Sequence, residues 1–176
     1  EPADRSPTPL FEAVAALVHE GKLSNEGLKI ILRATASDKH YRVVIDRLGL
    51  NDIIELAPHL PYRQALQEMF DADGLLLFQG PSCNRQIPAK LYEYFRTGKP
   101  IFALTDAEGD TAQVRADAGV TPVTPYDDVD SIKRHLTEFL SALQNRHAAG
   151  VPIEVAERYS RAHAAAQLAD LLEELV

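Results

Sequence analysis

Short apolar runs alternate with stretches of helical periodicity along most of the chain. Five mostly apolar runs predict short strands, at 28–32, 53–56, 74–78, 100–104 and 120–123. Apolar spacings of three and four, with helix-starting and helix-ending residues, predict helices over 9–20, 38–48, 61–71, 88–97, 109–118, 128–144 and 153–175. Thr8 followed by Pro9 predicts an N-cap and a first-turn proline, whereas Gly49 and Gly98 predict helix ends.

This alternation of strands and helices predicts an α/β fold. Right-handed crossovers between successive strands lead to a parallel sheet. We therefore expect a Rossmann-like parallel sheet of about five strands with helices on both faces. The sequence shows no interdomain linker, so residues 1–176 are expected to form a single domain with a C-terminal helix at 153–175.

Composition narrows the classes of function. The chain has 176 residues and a formal net charge of −8, which argues against nucleic acid or an anionic membrane as a partner. Cys83 is the single cysteine, and the six histidines show no metal-ligand spacing, so neither a disulfide nor a metal site is expected. No apolar run approaches the ~20 residues of a transmembrane segment. We expect a cytoplasmic protein.

The candidate site lies between the third predicted strand and the helix that follows it. Open α/β sheets bind ligands at the carboxyl ends of their strands, and residues 74–98 supply a strand, a small-residue turn and a helix start. Ile87 is a poor N-cap, which leaves the first N–H groups of that helix available to an anion. Lys90 and Glu93 share a helix face that suits the phosphates and ribose of a nucleotide diphosphate. The same spacing is typical of an ordinary surface ion pair.

Other chemistry-bearing residues carry weaker signals. His59 follows a strand end on the expected ligand side, whereas the other histidines fall mostly on predicted helices and fit packed or solvated roles. Cys83 has no identifiable base nearby and is interpreted as incidental. The acidic loop 106–110 fits either a solvated turn or a contact with sugar hydroxyls. No serine-nucleophile motif or phosphate-binding glycine loop occurs, and catalytic residues stay unassigned.

Residues 88–104 read PAKLYEYFRTGKPIFAL. This segment resembles the donor-binding half of GT-B glycosyltransferases, in particular the bacterial family-4-like group, whose motif is roughly Pro-x-Lys-Leu-x-Glu-Tyr-x-x-x-Gly-Lys-Pro-Ile. Flanking segments at 47–50 and 157–161 add to the resemblance, which covers nearly the whole chain from about residue 5. The resemblance implies the C-terminal half of a GT-B fold. It also implies a nucleotide-sugar donor, such as a UDP- or GDP-sugar, with no cofactor.

The resemblance also implies roles for individual residues. Glu93 matches the family glutamate that binds the donor ribose, and Lys90 matches the lysine near the pyrophosphate. The backbone at Ala89 and Leu91 would face the phosphates. His59 and Leu60 match a turn whose backbone contacts the base of the donor nucleotide. Gly80, Pro81 and Ser82 match a loop that faces the donor sugar.

Three departures from the family pattern change these implications. Arg85 stands where the family often has an earlier glutamate, which puts donor-sugar recognition and the retaining outcome in doubt. Arg33 stands near the end of the first predicted strand, where a glycine is usual, and either contacts a phosphate or blocks one. The N-terminal acceptor domain is missing, as is the first strand of the donor domain, which would lie beside 74–78. We therefore expect a fragment of a longer enzyme.

The functional hypothesis is the donor-binding domain of a glycosyltransferase that passes a sugar from a nucleotide diphosphate to an acceptor hydroxyl. In isolation, weak nucleotide binding and no transfer are expected. The expected partners are the nucleotide-sugar donor and the N-terminal domain of the same enzyme. Through that domain, the cytoplasmic protein would associate peripherally with the membrane.

Two alternatives stay open. One is a GT-B-type nucleotide-sugar epimerase domain, which needs its own catalytic acids. The other is a non-enzymatic α/β interaction module. An exposed apolar face on the tail helix or on helix 128–144 would favour the module, whereas a pocket at Ser82, Lys90 and Glu93 would favour the transferase.

Overall fold

The computed structural model describes residues 5–24, 26–120 and 123–174. In these ranges, helices alternate with short strands. The helices are α1 (Thr8–His19), α2 (Asp38–Leu48), α3 (Tyr62–Asp71), α4 (Ala89–Thr97), α5 (Asp110–Asp117), α6 (Val129–Gln144), α7 (Ile153–Glu157) and α8 (Arg161–Glu173). The strands are β1 (Ile30–Arg33), β2 (Ile54–Ala57), β3 (Leu75–Phe78) and β4 (Ile101–Leu104). A short 3-10 helix, Pro81–Cys83, lies between β3 and α4.

The strands of the described ranges form two separate parallel pairs. β1 pairs with β2, with Ile30 opposite Ile54, and β3 pairs with β4, with Leu75 opposite Ile101. The α/β class is thus confirmed, but the expectation of one sheet of about five strands is wrong. The physical reason is that no ladder of backbone hydrogen bonds joins β1 or β2 to β3 or β4 within the described residues.

The predicted fifth strand at 120–123 lies partly outside the described residues. Just beyond it, the N–H of Thr124 donates to the Ala103 carbonyl at 2.8 Å, and the Thr124 carbonyl accepts from the Thr105 N–H at 2.9 Å. These two bonds make an isolated parallel bridge at the end of β4. The chain therefore meets the outer edge of β4 at one position only among the described residues.

One apolar cluster, the first cluster, lies under α1, α2 and α6. α1 packs against both other helices. β1 and β2 contribute Ile30 and Ile54 to this cluster, and β4 contributes Phe102 and Leu104. The Phe102 ring lies 5.4 Å from the Phe139 ring of α6. The two strand pairs therefore lie side by side under one layer of helices.

A second cluster covers the opposite face of β3 and β4. Side chains alternate along β3, so that Leu76 packs on the first cluster and Leu77 belongs to the second. α4 and α7 close the second cluster with Leu91 and Ala156. Helices on both faces are confirmed for this strand pair. In β1, by contrast, Ile31 is 40 % exposed.

The ends of three helices test the local predictions. α2 ends at Gly49 and α4 at Gly98, and both glycines have positive φ (69° and 64°), a conformation that glycine adopts without steric cost. α1 is different, because its N-cap is Pro7 and the predicted cap Thr8 lies inside the helix. The Pro7 carbonyl accepts the Phe11 N–H at 3.0 Å, which starts the helix one residue earlier.

The single C-terminal helix predicted at 153–175 is wrong, because α7 and α8 are separate. The Ser160 hydroxyl accepts the His163 N–H at 3.1 Å, so this serine caps a new helix. α7 packs against α4, whereas every residue of α8 is exposed. In the described ranges, no helix combines the length and apolar character needed to cross a membrane.

Gly150 offers a test of the close approach between the turn after α4 and the segment before α7. A Cβ on Gly150 would lie 2.0 Å from the Gly98 carbonyl oxygen and 2.7 Å from that of Lys99. We expect Gly150→Ala to lower the free energy of unfolding by about 3 kcal/mol, because backbone atoms must move. The corresponding fall in Tm is roughly 6–12 °C for a domain of this size, measured by circular dichroism.

Gly27→Ala is the matched control. The nearest atom to its Cβ would be Ser24 Oγ at 3.3 Å, on a side chain that can rotate away. This variant should stay within about 0.5 kcal/mol of the parent. An equal loss of stability in both variants would contradict the close approach at Gly150.

Candidate functional site

The carboxyl ends of the strands carry the candidate site. In open α/β sheets this edge is where ligands bind. The residues that end or directly follow β1, β2, β3 and β4 are Arg33, Pro58, Gln79 and Thr105. Hydrogen bonds from these strand ends to α3 and to the loop before α4 bring several predicted site residues together.

The first turn of α4 presents backbone donors to solvent. Its N-cap, Pro88, has no side chain that can accept a hydrogen bond. Ala89 and Lys90 are exposed, and no acceptor for their N–H groups occurs among the described residues. Leu91 is fully buried, and its N–H donates to the Pro88 carbonyl at 2.9 Å. Two N–H groups and the Lys90 ammonium are therefore available to an anion, whereas the Leu91 N–H is engaged within the turn.

Glu93 lies about one turn beyond Lys90 and is half-buried. The Tyr62 hydroxyl, at the start of α3, donates to Glu93 Oε1 at 3.4 Å. Tyr62 itself is 64 % exposed. Sequence reasoning missed this tyrosine, although its place directly after the 58–61 turn was a usable signal. Tyr62 thus joins the predicted ribose carboxylate to the predicted base-contacting turn.

Lys90 and Glu93 do not form the ordinary surface ion pair that their spacing allowed. Among the described residues, the ion pairs with a nitrogen–oxygen distance within 4.0 Å involve side chains other than Lys90 and Glu93. The lysine is therefore open to an anion and the carboxylate to a hydroxyl-bearing group.

Arg33 is held by protein groups. Its Nε and Nη2 both donate to the Glu68 carboxylate of α3, and its Nη1 donates to the Pro58 carbonyl at 3.0 Å. These hydrogen bonds raise the pKa of the Arg33 guanidinium and lower the pKa of the Glu68 carboxyl. A phosphate contact by Arg33 would compete with Glu68. The arginine instead fastens the end of β1 to α3 and to the turn after β2.

The turn between β2 and α3 lies beside α4. Arg33 holds its first carbonyl, and Tyr62, which directly follows the turn, contacts Glu93. Within the turn, His59 is exposed and Leu60 is half-buried. A flat ligand between the turn and α4 would therefore meet mixed apolar and polar groups.

The side chain of Gln79 holds the loop between β3 and α4 in place. Its side-chain amide donates to the carbonyls of Cys83 at 2.9 Å and Gln86 at 3.0 Å. Gln79 is completely buried, and sequence reasoning missed it although it is the polar residue that ends the most apolar strand. Of the three predicted loop residues, Gly80 is buried, whereas Pro81 and Ser82 are exposed.

The acidic loop after β4 is tied to this same loop. Asn84 Nδ2 donates to Asp106 Oδ2 at 2.5 Å, and the Asp110 N–H donates to the Asn84 carbonyl at 2.8 Å. The Glu108 N–H also donates to Asp106 Oδ1 at 2.9 Å. The backbone bond from Glu108 and the bond from Asn84 lower the pKa of Asp106. This carboxylate therefore serves the loop structure.

A cavity of about 600 Å³ opens beyond the carboxyl end of β1, lined by residues 36–40. Ala34 and Ala36 have positive φ of 51° and 58°, which strains the loop there. The lining of this cavity does not include Ser82, Lys90 or Glu93, where a pocket would have favoured the transferase. Among the described residues, no three His, Cys, Asp or Glu side chains are grouped so as to hold a metal ion.

The ion pair of Arg33 and Glu68 should be measurable as a coupling energy. A double-mutant cycle of Arg33→Ala and Glu68→Ala, followed by urea unfolding at pH 7, should give a favourable coupling larger than that of a more exposed ion pair. The pKa of Glu68 is lowered on folding, so the coupling is complete above the carboxyl's ordinary pKa of 4.5 and declines as the pH falls below it. Arg33→Lys should lose most of the coupling, since lysine cannot bind both carboxylate oxygens in a fork.

The control pair is Lys29, directly before β1, with Glu55 of β2. Their contact is 2.6 Å, but the side chains are 62 % and 45 % exposed. The same cycle on this pair should give below about 0.5 kcal/mol. Equal coupling in the two cycles would show that the fork of Arg33 adds nothing.

Comparison with known proteins assigns no family. The chain matches no protein-family model and no curated protein. The functional interpretation therefore depends on the residue pattern at 88–104 and on the groups that α4 and its neighbours present.

Proposed function

We propose that this chain is the donor-binding domain of a glycosyltransferase that moves a sugar from a nucleotide diphosphate to an acceptor hydroxyl. The observation that carries the proposal is the start of α4. There, the N-terminus of the helix has no side-chain cap, and Lys90 has no ion-pair partner among the described residues. The Glu93 carboxylate follows about one turn later. The resemblance of residues 88–104 to the family motif supports the same function.

The diphosphate would lie at the N-terminus of α4. The N–H groups of Ala89 and Lys90 have no acceptor among the described residues, and the helix dipole adds positive potential there. The Lys90 ammonium is exposed and can approach a phosphate oxygen. These groups would stabilise the negative charge that develops on the diphosphate as it leaves the sugar.

The ribose and base would lie between α4 and α3. The Glu93 carboxylate can accept hydrogen bonds from two ribose hydroxyls, and the Tyr62 hydroxyl orients one of its oxygens. The turn with His59 and Leu60 would contact the base. Because Arg33 anchors this turn through the Pro58 carbonyl, the base contacts would be preorganised.

The donor sugar would face the loop with Gly80, Pro81 and Ser82. Gln79 holds that loop, so the exposed Ser82 hydroxyl has a defined position relative to α4. The acceptor site and the catalytic base would lie in the N-terminal domain of the same enzyme. An epimerase would need its own catalytic acids near the sugar, and the Asp106 carboxylate is already hydrogen-bonded to Asn84.

Titration calorimetry with UDP, GDP and dTDP tests the proposal. One diphosphate should bind, and Glu93→Ala should weaken it about 10- to 100-fold, because a charged hydrogen bond contributes about 1.5–3 kcal/mol. Glu138→Ala, which removes an exposed carboxylate on α6, is the control and should leave the affinity unchanged. Binding that survives Glu93→Ala, or that fails for all three diphosphates, would refute the proposal for this chain.

A non-enzymatic interaction module is the second candidate, and one observation favours it. On α8, Leu168, Leu171 and Leu172 are 58 %, 59 % and 55 % exposed. On α6, by contrast, Ile132 and Leu136 are buried in the first cluster. The exposed apolar face therefore lies on the tail and is separate from α4.

Replacing the three α8 leucines by glutamine separates the two candidates. Because these side chains are exposed, the free energy of unfolding should stay within about 0.5 kcal/mol of the parent. Nucleotide affinity should also be unchanged if α4 forms the site. A parent chain that self-associates in sedimentation velocity, with self-association lost in the variant and no diphosphate bound, would favour the module.

A further inference from the structure

Two polar side chains are buried next to each other at the carboxyl ends of β3 and β4. Gln79 directly follows β3 and is completely buried, and Thr105 directly follows β4 and is 1 % exposed. The Gln79 N–H donates to the Leu104 carbonyl at 2.9 Å, which continues the parallel pairing of the two strands. The Cα atoms of Gln79 and Thr105 therefore lie about one strand spacing apart, ~4.8 Å.

Both side chains lie on the face of the second cluster. Residues two positions apart in a strand share a face of the sheet. Leu77 and Ala103, which stand two positions before Gln79 and Thr105, both belong to the second cluster. The loop between β3 and α4 covers this face, because the Gln79 amide nitrogen donates to two of its carbonyls. The Gln79 and Thr105 side chains are thus neighbours beneath that loop.

Asn84 brings a third polar group to the same place. It lies in the loop between the two residues whose carbonyls accept from Gln79. Its Nδ2 donates to Asp106 Oδ2 at 2.5 Å, and Asp106 directly follows Thr105. The Asn84 amide therefore reaches from the loop above Gln79 to the segment that continues from β4.

Each of the three side chains has one buried oxygen that lacks a hydrogen bond. Gln79 Oε1, Asn84 Oδ1 and Thr105 Oγ1 have no hydrogen-bond partner in the described part of the chain. Both amide nitrogens already donate to oxygens, so turning either amide over would lose those bonds. The amide oxygens can only accept, whereas the hydroxyl can also donate. Buried polar atoms in folded proteins are nearly always paired, so these three call for a common partner.

We propose that one water molecule is bound at this place and joins the three oxygens. Its two protons go to Gln79 Oε1 and Asn84 Oδ1, and its oxygen accepts the Thr105 hydroxyl. Three hydrogen bonds are the usual number for a buried water. Two bonds of about 2.8 Å join oxygens up to roughly 5.5 Å apart, which suits side chains that stand one strand spacing apart.

A cation fits the same groups less well. Na⁺ or K⁺ is attracted to amide oxygens, but it leaves the proton of the Thr105 hydroxyl without an acceptor. The Asp106 carboxylate, the nearest negative charge along the chain, accepts from Asn84 and from the Glu108 N–H at 2.9 Å. Water matches two acceptors and one donor without adding charge.

The bound water gives the sugar-facing loop a second attachment. The Gln79 amide nitrogen holds this loop through two carbonyls, and the water joins its Asn84 side chain to Thr105 at the end of β4. The exposed Ser82 is therefore positioned relative to both strands of the pair. This inference concerns contacts beneath the loop and does not depend on the proposed function.

A crystal structure of the full chain, at a resolution that shows ordered water, is the first test. We expect a water within about 2.7–3.2 Å of all three oxygens. Absence of electron density there, or direct hydrogen bonds among the three side chains, would overturn the inference. So would an anomalous signal at this place after the crystals are transferred to rubidium chloride, because the bound group would then be a cation.

Magnetic relaxation dispersion of the water oxygen nucleus tests the site in solution, since it counts waters that stay inside a protein for longer than its tumbling time. Thr105→Val keeps the shape of the side chain but removes the hydroxyl, and should lower the dispersion amplitude by the equivalent of one water. Thr111→Val is the matched control, because Thr111 is also 1 % exposed but its hydroxyl donates to the Gln86 carbonyl at 3.2 Å. An amplitude that is the same in the parent and in Thr105→Val would contradict the proposal.

Discussion

The packing of α1 against α6 is the contact on which the rest of the structure depends. A parallel pair of four-residue strands has little stability of its own in water. Here both strand pairs gain stability by packing side chains into the first cluster, beneath these helices. Leu10 and Phe11 of α1 are completely buried in that cluster. The loops of the candidate site follow the carboxyl ends of those strands. Their positions therefore depend on a helical contact made on one face of the sheet.

Local features of this fold could be predicted from the sequence, and non-local ones could not. Gly49 and Gly98 end their helices because glycine adopts positive φ without any distant partner. The sheet was predicted incorrectly because pairing depends on hydrogen bonds between segments far apart in the chain. The break before α8 has a local cause, Ser160, but the alanine-rich periodicity around it concealed the capping signal.

The candidate site shows the same difference between local and non-local features. Lys90 and Glu93 could be identified because they lie three positions apart on one helix. The bonds from Arg33 to Glu68 and from Tyr62 to Glu93 span 35 and 31 positions, and no spacing rule connects such residues. Gln79 was missed because its role depends on carbonyls that only the folded loop brings near it. The sequence therefore singled out candidate side chains on one helix, but not the contacts that hold the surrounding loops in place.

The exposure of α8 has a consequence for how the molecule loses structure. Its 13 residues are too few for a stable isolated helix in water. Arg161 in its first turn and Glu173 at its end also oppose the helix dipole. α8 is therefore a low-stability unit that frays and re-forms while the clusters under α1 and α4 stay intact. Proteolytic nicking should begin in and around this segment, and a trimmed domain that retains both clusters should persist.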